Sequence, residues 1–182
     1  MVCGKGCASF CCPDEEIGFC PCCARTLVDI LQALIDQFEP NPSVDIFLPG
    51  PAGALVNVEL VQIRNGFLVE VLQGQNQIIV NICDIVAIGG SDAVNDVDLS
   101  GIPLQENCDC CEDALTELLT EIASVSPRSF DLNSQSQQAG TIQANNPTEV
   151  FSGVVRTTVG NNKIIVSLCH VSSVNRISPP LP

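Results

Sequence analysis

The chain has 182 residues, and 7 Lys+Arg against 21 Asp+Glu give a net charge of −14. Hydrophobic residues make up 46%, charged residues only 15%, and all aromatics are Phe. Such aliphatic content fills a core, which excludes wholesale disorder, and the length allows one domain or two small ones. The acidic balance has the wrong sign for phosphate, and there is no Tyr or Trp to stack on bases, so no nucleic-acid partner is expected. Apolar runs are a few residues long, far short of the ~20 that cross a bilayer, so no membrane partner is expected.

Residues 1–19 read as a Cys-rich N-terminal arm. Its start, Met-Val-Cys-Gly-Lys-Gly-Cys, lacks an apolar h-region, so a conventional secretory signal is not expected. Cys3, Cys7, Cys11 and Cys12 lie among Gly, Ser and Pro with little apolar content before Ile17. Burial cannot order such an arm, so covalent or metal links are needed. With Cys20, Cys22 and Cys23, seven of the twelve cysteines fall in the first 23 residues. Secreted disulfide scaffolds usually carry an export signal, so composition and compartment conflict.

Residues 20–90 read as the first of two repeats. Leu27, Ile30, Leu31, Leu34, Ile35 and Phe38 follow the spacing of one apolar helix face, and Pro40 and Pro42 stop that helix. Strands are expected at 43–48, 54–63, 67–73, 77–82 and 84–88, with Gly74-Gln-Asn76 as a hairpin turn. Residues 91–107 read as a solvated acidic linker. Its Asp92, Asp96 and Asp98 depart from the spacing of a calcium loop.

Residues 108–177 read as the second repeat, with 178–182 a Pro-rich tail. Cys108-Asp-Cys110-Cys111 lies 88 residues after Cys20-Pro-Cys22-Cys23, and Leu115, Leu118, Leu119 and Ile122 repeat the helix pattern. Asp109 and Glu112 form an Asp-x-x-Glu capping box. Ser129-Phe-Asp-Leu132 repeats Ser43-Val-Asp-Ile46 at 86 residues, and Ile164-Ile-Val-Ser-Leu-Cys-His-Val171 repeats Ile78-Ile-Val-Asn-Ile-Cys-Asp-Ile85 at the same distance. Strands are expected at 129–133, 140–145, 149–158, 163–168 and 170–175, with a turn at Gly160-Asn-Asn162. The expected fold class is therefore α+β, β-rich and internally duplicated. Each copy has one short helix followed by about five short antiparallel strands. Its order resembles an Sm-like or SH3-like small barrel, a likeness of fold that carries no RNA role. A jelly-roll sandwich across both halves is the competing topology.

The vicinal pairs Cys11-Cys12 and Cys22-Cys23 suit cross-links to different partners, because neighbouring cysteines rarely meet disulfide geometry with each other. Cys3, Cys7, Cys11, Cys12, Cys20, Cys22, Cys23, Cys108, Cys110 and Cys111 are the disulfide candidates. Cys83 and Cys169 end equivalent aliphatic strands and are expected as small buried hydrophobes, with some room for a bridge. The rival reading puts one zinc on Cys20, Cys23, Cys108 and Cys111, two Cys-x-x-Cys units separated by a whole repeat. A dithiol redox protein is the third, since thiols in a helix's first turn are activated, but the βαβ context is missing. His170, the single His, follows Cys169 on a strand and should face away from it. With no Ser-His-Asp set and no phosphate loop, an enzyme is not expected.

The Met-Val-Cys-Gly-Lys-Gly-Cys start, the Cys-x-Cys-Cys units and the two Ile-Ile-Val segments together resemble the cysteine-rich coat, exosporium and appendage proteins of endospore-forming bacteria. The resemblance covers most of the chain as a style of sequence. It implies a structural protein made in the cytosol without a signal peptide. On the spore surface it would self-assemble into a disulfide-fixed lattice or fibre. Its partners would be itself and other Cys-rich coat proteins, with no cofactor.

Overall fold

The computed structural model describes residues 22–51, 53–104, 110–124, 129–134 and 139–178. Helix α1 spans Cys22–Gln37. Its Leu27, Ile30, Leu31 and Leu34 are fully buried, while Arg25, Gln32 and Asp36 face solvent, the division that its apolar spacing dictates. Four strands follow: β1 (Ser43–Phe47), β2 (Ala54–Arg64), β3 (Leu68–Gln73) and β4 (Asn76–Asn81). A 3-10 turn over Ile82–Asp84 leads into the short β5 (Ala87–Gly89).

After a five-residue helix α2 (Asp92–Asp96), the same succession returns. It comprises α3 (Cys110–Ser124), β6 (Ser129–Ser134), β7 (Thr141–Phe151), β8 (Val154–Val159), β9 (Asn162–Ser167), a 3-10 turn over Leu168–His170, and β10 (Val171–Ser178). Gly74 and Gly160 stand at φ +63° and +62° in the two-residue turns β3–β4 and β8–β9. Glycine is favoured there because a Cβ disfavours that conformation.

The ten strands of the described residues pair antiparallel in one sheet, in the order β10-β6-β7-β8-β9-β5-β1-β2-β3-β4. The molecule is thus β-rich with a few short helices. Two pairs of registers recur 86 residues apart. Ile46↔Ile88 in β1·β5 answers to Leu132↔Val174 in β6·β10, and Leu68↔Asn81 in β3·β4 to Val154↔Ser167 in β8·β9. The halves meet where β5 pairs with β9, Ala87 opposite Val166 and Ile88 opposite Ile165.

The apolar cores interlock across that junction. The core under α1 takes in Phe151, Val154 and Ile165 from the second half, and the core under α3 takes in Ala87 from the first. Thr26 of α1 donates a buried hydrogen bond of 2.8 Å to the Ser152 carbonyl in the β7–β8 turn. The Gly153 N–H of the same turn donates to the Thr116 hydroxyl of α3 at 3.2 Å. Both helices are therefore anchored to one turn.

Three expectations need correction. The break read between 145 and 149 is a continuous β7 whose register to β8 shifts between Asn145 and Glu149, around Pro147. Proline lacks the ladder N–H but is tolerated at such an irregularity, and the true turn is Ser152–Gly153. The strand expected from residue 84 begins at Ala87, because Ile82–Asp84 form a 3-10 turn held by Ile85 N–H donating to the Ile82 carbonyl. The linker is not a solvated bridge: Val94, Val97 and Leu99 are buried in the first core. Gln37 at the end of α1 locks the linker down, exchanging two 2.8 Å hydrogen bonds with the backbone N–H and carbonyl of Asp98.

Candidate assembly site

The cysteines and the two ends of the sheet are the features on which assembly chemistry can act. Cys3, Cys7, Cys11, Cys12, Cys20 and Cys108 lie outside the described residues, as does the cap at Asp109. Cys22 and Cys23 open α1, and Cys110 and Cys111 open α3. The two Cys-Cys pairs therefore begin equivalent helices.

Cys83 and Cys169 sit in the two 3-10 turns and are each half of a disulfide bond. Both are half-buried. Their half-burial follows from position: each is the middle residue of a 3-10 turn whose first residue, Ile82 or Leu168, is buried while the chain turns away from the sheet. His170 also lies in the second turn, where its Nε2–H donates to the Cys83 carbonyl at 2.9 Å. Its ring is thereby fixed to the backbone of the other turn. Among the described residues no group of three or more His, Cys, Asp or Glu side chains is placed to hold a metal. Two members of the zinc quartet, Cys20 and Cys108, lie outside those residues. No helix among them is long and apolar enough to cross a membrane.

The sheet ends in β4 on one side and β10 on the other, each paired on one flank only among the described residues. Ile79 of β4 is 46% exposed, whereas its counterpart Ile165 in β9 is 0% exposed beneath β5. Val174 of β10 is half-buried, whereas its counterpart Ile88 is fully buried. Sequence reasoning had not singled out Ile79 or Val174. The available signal was that both Ile-Ile-Val strands match, while only β9 has an adjoining β5 to cover it.

Behind the β4 edge, β3 presents Glu70 to three donors. Its carboxylate accepts from Arg64 Nε at 2.5 Å, Gln62 Nε2 at 2.8 Å and Gln77 Nε2 at 2.5 Å. The hydrogen bond from Arg64, then that from Gln62, holds its carboxyl below the ordinary carboxylate range. Three neighbouring strands, β2, β3 and β4, are thereby tied on one face. In the second half Arg156 of β8 is buried, pairs with Glu149 of β7, and donates to the Val97 carbonyl of the linker at 2.7 Å.

Comparison with protein-family models, with curated proteins and with solved structures finds no match.

Proposed function

We propose that this chain is a structural building block that assembles with copies of itself and is fixed by disulfides, on the surface layer of a spore. The observation that carries the reading is the oxidised state of Cys83 and Cys169, set beside seven cysteines in the first 23 residues. Disulfides persist in oxidising surroundings, so a chain built around them is suited to work outside a reducing cytosol. The remaining thiols then serve as tethers. Each bridge forms as two thiols surrender two protons and two electrons to molecular oxygen.

The two halves are read as copies of one small-barrel-like unit, supported by the recurring element order and the 86-residue register. The resemblance to coat, exosporium and appendage proteins supports the location. Replacing Cys3, Cys7, Cys11 and Cys12 together by Ser tests the tether. The variant should keep the far-ultraviolet dichroism and melting curve of the parent, while its oxidised assemblies dissolve in hot detergent. Assemblies as resistant as the parent's would remove the arm from the account. About one zinc per chain in protein purified under reducing conditions would instead favour a metal-clamped scaffold.

A further inference from the structure

We infer that chains join head to tail by pairing the β4 edge of one molecule with the β10 edge of the next, in the register that already joins β9 to β5 inside each molecule. This rests on the building-block reading above and supplies its interface.

The internal junction defines the geometry. Ile88 faces Ile165, Ala87 faces Val166, and the Ser167 N–H donates to the Val86 carbonyl at 2.9 Å. Moving each residue to its counterpart 86 positions away places Val174 opposite Ile79 and Ser173 opposite Val80. It also aims the Asn81 N–H at the Ser172 carbonyl. The mapping is warranted because the strands flanking each edge keep equivalent registers: β3·β4 matches β8·β9, and β1·β5 matches β6·β10.

Within its own strand, the β4 edge lacks three of the devices that commonly protect a sheet edge. Its sequence, Asn76-Gln-Ile-Ile-Val-Asn81, has no Lys, no Pro and no bulge, and it pairs with β3 without a register shift. On β10, the positive φ of Arg176 (+50°) and the register shift between Asn175 and Ser178 fall beyond the residues that would pair, while a second shift, between Val171 and Ser173, falls at Ser172 at the start of the paired segment. What is paired at the centre of the molecule is therefore unpaired at both ends among the described residues, and a second copy is the occupant whose geometry is already specified.

One position departs from the internal junction. Gly89 lies flush against Ile164, whose Cγ1 would stand 3.3 Å from an added Cβ, and the counterpart of Gly89 is Asn175. Ile78 must give way to it, so the contact between chains is weaker than the one within. The interface uses different surfaces on the two partners, and such contacts propagate into a filament or close into a ring.

The test uses the full chain with native disulfides kept and free thiols alkylated. Ile79→Lys should block the β4 edge, and Val174→Glu the β10 edge, because each would bury a charge at the junction. Sedimentation velocity should show growing oligomers for the parent and monomers for each variant alone. Mixing the variants should restore a species at least as large as a 1:1 dimer, since each retains the edge that the other lacks. If Val174→Glu does not fold, hydrogen exchange on the unaltered chain gives the same answer: the amides of Ile79, Asn81 and Val174, which the mapped junction points across the interface, gain protection as concentration rises. Variants that assemble like the parent, or amides that stay unprotected in the assembly, would overturn the edge pairing while leaving the building-block reading in place. Assembly only after oxidation of unblocked thiols would likewise overturn the pairing. A chain that stays monomeric both alkylated and oxidised would overturn both.

Discussion

Glu70 and Arg156 show how single polar groups organise this sheet. Glu70 sits under its three partners but at the sheet surface, so its pairing with Arg64 is a matter of pH as well as geometry. Its folded-state pKa is lowered, so its contribution is fully present above the ordinary carboxylate range and is lost as pH falls through the lowered value. Glu70→Gln should therefore melt below the parent at neutral pH, with the gap closing in acid. Thermal melts across that range check it, and a gap of constant size would contradict the assignment. Arg156 instead bridges the linker and the β7–β8 pair from a buried position. Arg156→Met leaves the Val97 carbonyl and the Glu149 carboxylate without it and should cost about 2 kcal/mol in urea unfolding, below the value for a fully buried pair because Glu149 keeps some solvent.

At the scale of elements, the contrast between β9 and β4 is the sharpest prediction. Ile165→Ala or Ile88→Ala empties a site with no exposure and should destabilise by about 2–5 kcal/mol. Ile79→Ala, at the equivalent place on the free edge, should cost less than about 1 kcal/mol in the dilute chain. Chemical denaturation of the three variants decides it. Much of this scale was legible in the sequence, because the spacing of Leu27 to Leu34 and the alternation in β1 reflect burial directly. The break expected between 145 and 149 is absent because a shifted register tolerates Pro147 within a strand. Val94, Val97 and Leu99 were masked by the Asp residues between and beside them, which point outward while the apolar three turn into the core. The β5·β9 junction had no local signal at all: three residues of β5 do not announce a partner more than seventy positions away. Nor does cysteine spacing reveal which thiols are oxidised, since a disulfide depends on distances between Cα atoms.

On the proposed reading, the whole molecule is a sheet that repeats its own internal joint outward, with cysteines to make the result permanent. The net charge of −14 opposes this joint between chains, so assembly should grow with ionic strength, more at about 0.5 M salt than at about 0.02 M. Light scattering across a salt series reads this directly, and assembly that weakens with salt would point to ion pairs in place of apolar strand pairing. The most direct test of self-assembly is multi-angle light scattering over a concentration series, before and after oxidation. The account predicts a mass that rises with concentration while free thiols are blocked. After oxidation the mass should become independent of dilution and fall again with reductant. A single-chain mass throughout both series would contradict it.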